Sequence, residues 1–214
     1  MAVSFDKRDH LSGCRRLALP VDTPRLQREV AGLPESLWGN VRAPVHRETC
    51  SLFLKGHAPL LGIADDPEQP ALALCPYIRE LLYGLLPGTP GKCLLAALRP
   101  GGIVYPHMDA ANDYFVGSFR VHIPVITNPA VRFYCNGKFF CMRAGEVWTV
   151  NNLAPHAVVN DDPLAARIHL IFDVFPDPVA IARVAAAEEA PGEDDLPLFE
   201  RLSGNRPAIA QVMD

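Results

Sequence analysis

Residues 119–150 read FRVHIPVITNPAVRFYCNGKFFCMRAGEVWTV, and the punctuation of this stretch decides the fold. Phe119–Ile126, Val131–Tyr134, Lys138–Met142 and Glu146–Val150 are short runs rich in β-branched and aromatic residues, the composition that packs well on a pleated, half-buried surface. Asn136-Gly137 separates two of them, and both residues tolerate the positive φ of a type I′ turn, which predicts a two-residue hairpin. Ala144-Gly145 marks the next turn. Working outward, Cys93–Leu98 lies upstream, and His156–Asn160 and Arg167–Phe175 lie downstream across a turn at Asp161-Asp162-Pro163. The expectation is a β-sandwich or small barrel over residues 92–176.

The flanks have a different texture. Residues 1–91 read as a mixed α/β flank or lid, with a helix over Thr23–Leu33, a strand-like run at Cys50–Leu54 and a helix near Tyr77–Leu85. After Pro176, Asp177-Pro178 supplies a cap and a first-turn residue for a helix over Val179–Glu189, and an acidic tail follows. The 21 prolines chop the chain into short segments and argue against a helical bundle. At 214 residues the chain fits one domain with a sizeable core.

Bulk charge excludes more than it selects. With 49% hydrophobic and 21% charged residues the composition is that of a globular protein, and a net charge of −4 creates no basic field for nucleic acid or anionic lipid. Neither partner is expected. The six cysteines lack C-x-x-C spacing and read as reduced, buried thiols. A charged N-terminus without an apolar core segment, and no apolar run approaching membrane-span length, point to a cytoplasmic protein.

The chemistry concentrates in three places. In extended chain, residues two apart face the same side, so His107 and Asp109 of His107-Met108-Asp109 converge on one point. His156 follows 49 residues after His107 and opens a β-like run behind Pro155. A His-x-Asp with a distant His is the ligand order of the 2-His-1-carboxylate triad of non-haem iron(II) oxygenases. Arg167, eleven residues beyond His156, offers a planar guanidinium for the distal carboxylate of 2-oxoglutarate. Arg120 and His122 share one strand face, as do Arg167, His169 and Asp173, so adjacent strands could present cations to a dicarboxylate while Asp173 neutralises one of them.

Two segments now carry a resemblance. Phe119-Arg120-Val121-His122-Ile123-Pro124-Val125 resembles the R-x-H strand, and Ala166-Arg167 through Asp173-Val174-Phe175 resembles the closing strand, of the aspartyl/asparaginyl β-hydroxylases. Between them, Gly145-Glu146-Val147-Trp148 through Pro155-His156 resembles the family's strand leading to its second metal histidine. The resemblance covers Lys92 to Pro176 and implies a mainly β, double-stranded β-helix (cupin-like jelly roll) with flanking N- and C-terminal helices. It implies iron(II) at His107 and His156, with 2-oxoglutarate bound by Arg167 helped by His122 and Arg120. Asp109 makes the chain similar to the bacterial branch that includes the proline cis-hydroxylases. The implied activity is hydroxylation, using O2, of an amino acid, an amino-acid-like metabolite or a peptidyl residue.

Two other readings stay open: a cupin-type metalloenzyme that does not use 2-oxoglutarate, and a non-enzymatic jelly-roll binding module. Arg167 discriminates against the first, which needs no carboxylate clamp, and a complete triad against the second. Residues 110–118 read as a loop whose Tyr114 and Phe115 either fold onto the core or line the substrate pocket as a lid, and Trp148 reads as core or pocket wall.

Overall fold

In the computed structural model, which describes residues 5–39, 44–57 and 67–204, antiparallel strands form two sheets. In chain order the elements are β1 (Cys14–Leu17), α1 (Thr23–Ala31), β2 (Thr49–Lys55), α2 (Pro76–Gly84), β3 (Gly88–Leu98), β4 (Ile103–His107), α3 (Asp113–Val116), β5 (Phe119–Ile126), β6 (Val131–Cys135), β7 (Lys138–Phe140), β8 (Val147–Val150), β9 (His156–Asn160), β10 (Arg167–Pro176), α4 (Pro178–Ala185), β11 (Glu188–Glu189) and α5 (Leu196–Gly204). The large sheet runs β11-β1-β8-β5-β10-β3-β2 and the small one β4-β9-β6-β7. This is the expected jelly roll. Asn136 (φ 47°) and Gly137 (φ 89°) form the anticipated hairpin turn, with Cys135 paired to Lys138.

Both faces of the large sheet are covered, which is why β5 is buried at seven consecutive positions rather than at alternate ones. Its odd-numbered side chains, Phe119, Val121 and Ile123, join Leu170 and Phe172 of β10 in a core with Leu26 and Val30 of α1 and Ile78 and Leu82 of α2. Its even-numbered side chains, Arg120 and His122, face the small sheet. The helices are fixed locally: the Asp22 carboxylate accepts from Arg25 N at the start of α1, and Glu29 of α1 accepts from Tyr77 N and Ile78 N, free donors of the first turn of α2.

Several expectations need revision. The stretch read as a flank supplies two strands of the large sheet, β1 beside β8 and β2 beside β3, and a boundary at 91/92 falls inside β3. The helix expected over Val179–Glu189 spans Pro178–Ala185, because Arg15 Nη1 donates to the carbonyls of Val184, Ala185 and Ala187 and Glu188–Glu189 then pairs with β1, and a further helix, α5, lies in the stretch read as a tail. Residues 113–116 are a short helix capped by Asn112, not a loop. Cys50 and Cys141 are exposed, while the other four thiols are buried.

Candidate metal centre and adjoining cavity

His107 ends β4 and His156 begins β9, and the two are direct cross-strand partners, so their imidazoles leave the small sheet side by side with ring centroids 4.2 Å apart. In each ring Nδ1 meets a backbone carbonyl two residues upstream, Tyr105 at 2.7 Å and Ala154 at 3.0 Å, which leaves both Nε2 atoms turned to the cavity. Asp109 Oδ1 lies 3.8 Å from each Nε2. The ligand atoms of the three residues all fall within 4.8 Å of one another and all three residues are buried. The spacing read from the sequence therefore brings one carboxylate and two imidazoles to one point.

The protonation of His156 and Asp109 suits a cation. Burial, reinforced by the neighbouring His107, pushes His156 down to about 3, leaving a neutral ring with a lone pair to donate. Burial alone would raise the Asp109 carboxyl, but the Arg120 guanidinium, helped by the hydrogen bond from the Asn152 amide, holds it well below the usual carboxylate range. Arg120 is itself gripped: Nε and Nη2 donate to Asp173 at 2.9 and 3.1 Å, and Nη1 donates to Asp109 Oδ2 at 2.6 Å. Three of its donors thus serve carboxylates of this chain, and Asp173 neutralises Arg120 as its shared strand face allowed. Tyr114 Oη donates to Asp173 Oδ2 at 3.2 Å and accepts from Lys92 N at 2.7 Å.

The cavity beside this centre is lined by residues of both sheets, among them His46, Thr49, Lys92, His122, Asn152 and Arg167. Arg167 is buried on β10 and donates through Nη2 to His169 Nδ1 at 2.6 Å. Burial, with Arg167 and His122 adding to it, holds His169 neutral, so its Nε2 carries the hydrogen. Register places Thr49 in one row with Leu98 and Arg167, and Ser51 in the next with Ala96 and His169. Thr49 Oγ1, Ser51 Oγ and His169 Nε2 are buried without a hydrogen-bond partner among the described residues. Buried polar atoms of this kind are rare in proteins, and the Thr49 hydroxyl, in the lining of the cavity that Arg167 also lines, suits the carboxylate of a bound dicarboxylate.

Of the remaining candidates, Trp148 sits in the core between the sheets, with its indole N–H donating to Glu146. Tyr114 and Phe115 pack with Leu153 and Phe175. Sequence reasoning missed four contributors. Thr49 and Ser51 were signalled faintly by alternation in Thr49-Cys50-Ser51-Leu52. Asn152, whose Nδ2 donates to Asp109 Oδ2 at 2.7 Å, lies in an unremarkable Asn-Asn pair. Lys7, fully buried with Nζ 2.5 Å from Asn152 Oδ1, looked like one more charge in a solvated N-terminus.

A jelly roll holding two histidines, an aspartate and a buried arginine in one cavity has the architecture of the iron(II)- and 2-oxoglutarate-dependent oxygenases. The family model for aspartyl/asparaginyl β-hydroxylase matches residues 44–176, more than half of the chain. The chain belongs to that family, and it is a hydroxylase dependent on iron(II) and 2-oxoglutarate. Among solved structures it is similar in fold to a prolyl hydroxylase from Trichoplax adhaerens in complex with a hypoxia-inducible factor oxygen degradation domain peptide (15% identity, 86% of this chain and 90% of that one, TM-score 0.51). It is also similar to the non-haem α-ketoglutarate-dependent epimerase SnoN from nogalamycin biosynthesis (12% identity, 86% and 88%, TM-score 0.53). No curated protein matches it in sequence. No helix among the described residues is long and apolar enough to cross a membrane.

Proposed function

We propose that His107, Asp109 and His156 hold the iron, that Arg167 with His122 binds 2-oxoglutarate, and that the substrate is an amino acid, an amino-acid-like metabolite or a peptidyl residue. The carrying observation is a buried His-Asp-His set whose ligand atoms lie within 4.8 Å of one another, beside a cavity that is also lined by buried Arg167 and by Thr49, whose hydroxyl has no hydrogen-bond partner among the described residues. Bound iron and cosubstrate supply the oxidation, in which substrate C–H, O2 and 2-oxoglutarate become C–OH, succinate and CO2.

The chain's own residues do the rest. Tyr105 and Ala154 carbonyls fix the tautomers of the two histidines, and Arg120 occupies Asp109 Oδ2 so that Oδ1 faces the imidazoles. Arg167 binds and orients the distal carboxylate, with Thr49, Ser51 and His169 as further donors. Arg120, being committed to two carboxylates, serves better as an orienter of Asp109 than as a cosubstrate ligand. Leu94, Val104, Phe133, Val158 and Ile171 exclude water from the reacting centre. These close apolar walls favour a small substrate, free in a cytoplasmic pool, over a folded protein.

The test is a screen of free amino acids and short peptides for substrate-dependent succinate formation by the iron-loaded protein. A free amino acid or dipeptide that stimulates succinate release and gains oxygen is the expected result. Stimulation by long peptides alone would overturn the substrate reading. Succinate release that persists undiminished in Arg167→Ala would overturn the clamp.

A further inference from the structure

We propose that the N-terminal arm, residues 5–13, is part of the metal centre, with Lys7 as a positioning residue that acts on Asp109 through Asn152. This rests on the reading of His107, Asp109 and His156 as the metal ligands. Lys7 lies outside residues 44–176, the stretch that matches the family.

The arm is laid against the loop that leads to His156. Asp6 caps a single 3-10 turn at Lys7–Asp9, Phe5 packs edge-on against Phe119 with centroids 4.9 Å apart, and Leu11 is buried in the main core. Asn151 Nδ2 donates to Leu11 O and Asn151 N to Gly13 O, both at 2.9 Å, before the chain enters β1. The next residue, Asn152, meets Lys7. Its side-chain oxygen accepts from Nζ, its side-chain nitrogen donates to Asp109 Oδ2, and its backbone oxygen accepts from Asp109 N at 2.9 Å.

The chemistry of the groups makes this a directional relay. An ammonium or amine on Lys7 can donate to the amide oxygen of Asn152, which turns the amide nitrogen toward Asp109. With Asn152 and Arg120 both bonded to Oδ2, the carboxylate rotor is fixed and Oδ1 is left 3.8 Å from each histidine Nε2. Burying a lysine against a neutral amide costs folding free energy that this hydrogen bond does not fully offset, which points to a role in orienting the amide. Lys7 differs from its neighbours in this respect, since Arg8 on the same turn bonds Asp6 at the surface.

The experiment titrates metal-free protein with cobalt(II), whose visible ligand-field spectrum reports the donor set without turnover. Lys7→Met, close in shape, removes the donor and the buried charge. We expect cobalt(II) affinity to fall at least tenfold, with a spectrum shifted toward that of Asp109→Ala, while the melting temperature of the metal-free protein holds or rises. A lysine acting only as a nearby positive charge would give the opposite result, tighter cobalt(II) binding with the wild-type spectrum, and that would overturn the proposal. Asn152→Ala, which cuts the relay in the middle, should give the same loss, and Lys7→Met should add nothing further in that background. Additive losses would overturn the relay. Arg8→Ala should bind as wild type does. If His107→Ala also binds cobalt(II) normally, the metal centre itself is misplaced; if His107→Ala loses binding while Lys7→Met keeps it, the inference about the arm alone fails.

Discussion

At the His107 end of the cavity, Asp109 and Asp173 both bond Arg120, and Asn152 closes a further acceptor, whereas at the Arg167 end a guanidinium bonds a neutral imidazole and two hydroxyls face no partner. The first region is a closed network, in which two carboxylates share one guanidinium of this chain. The second is open at its hydroxyls, since Thr49 and Ser51 carry buried oxygens with no hydrogen-bond partner among the described residues. The contrast fits the role proposed for each end. A cation needs a carboxylate kept ionised and rigid, and an anion needs donors that nothing else has claimed.

The largest effect expected from breaking this contrast lies at the ligands. His107→Ala or His156→Ala removes one of three protein donors, and each should abolish turnover and stoichiometric iron binding while far-ultraviolet circular dichroism stays native. Wild-type-like iron content in either variant would sink the assignment. Asp109→Ala should do the same, and residual iron binding there would demote Asp109 to an orienting role.

Next comes the closed network itself. Arg120→Met leaves Asp109 and Asp173 buried without their guanidinium, and breaking a buried pair in this way costs about 3–5 kcal/mol. Urea unfolding of the metal-free protein should show a loss of that order, with part of it recovered on adding metal, since the cation gives Asp109 a new partner. A loss under about 1 kcal/mol would mean the network is not closed as described.

Arg167→Lys tests the open end. A lysine keeps the charge but not the planar fork, so the Michaelis constant for 2-oxoglutarate should rise at least tenfold, roughly 1.4 kcal/mol. Iron affinity should not change. An unchanged constant would move the clamp elsewhere on the wall.

The two ends also differed in how far the sequence disclosed them. The His-x-Asp geometry followed from the two-residue strand period, and the shared faces of Arg120 with His122 and of Arg167 with His169 followed from the same rule, because local backbone geometry fixes both. Asn136-Gly137 and Asp177-Pro178 were legible for the same reason, as single-residue φ preferences. What the sequence hid is long-range. β1 pairs with β8 more than a hundred residues later, and β2 joins the sheet edge beside β3. No local period reports such pairings, so Thr49 and Ser51 were read as flank. Lys7 was hidden because a lysine among Asp6, Arg8 and Asp9 has the composition of a solvated face. Tyr114 and Phe115 were undecided because a single turn of helix is too short for a period; their packing on Leu153 and Phe175 came from the fold.

The smallest effect is the most diagnostic of the contrast, because its sign differs between stability and binding. Thr49 lies in one row with Arg167, is 2% exposed, and its hydroxyl has no hydrogen-bond partner among the described residues. Thr49→Val replaces that hydroxyl with a methyl group of similar size on the same β-branched frame, so strand preference and packing are kept. In an ordinary core the change would remove a hydrogen bond and lower stability by about 1 kcal/mol. Here no bond is lost and a buried polar group is removed, so the unfolding midpoint of the protein without cosubstrate should hold or rise. The 2-oxoglutarate dissociation constant should move the other way, rising by about twofold to tenfold, the worth of one hydrogen bond at roughly 0.5–1.5 kcal/mol. Isothermal titration and thermal melting of the same preparation read both. Should stability fall by about 1 kcal/mol while 2-oxoglutarate affinity stays fixed, Thr49 is a bonded core residue. The open end of the cavity would then be no more open than the end that holds the metal.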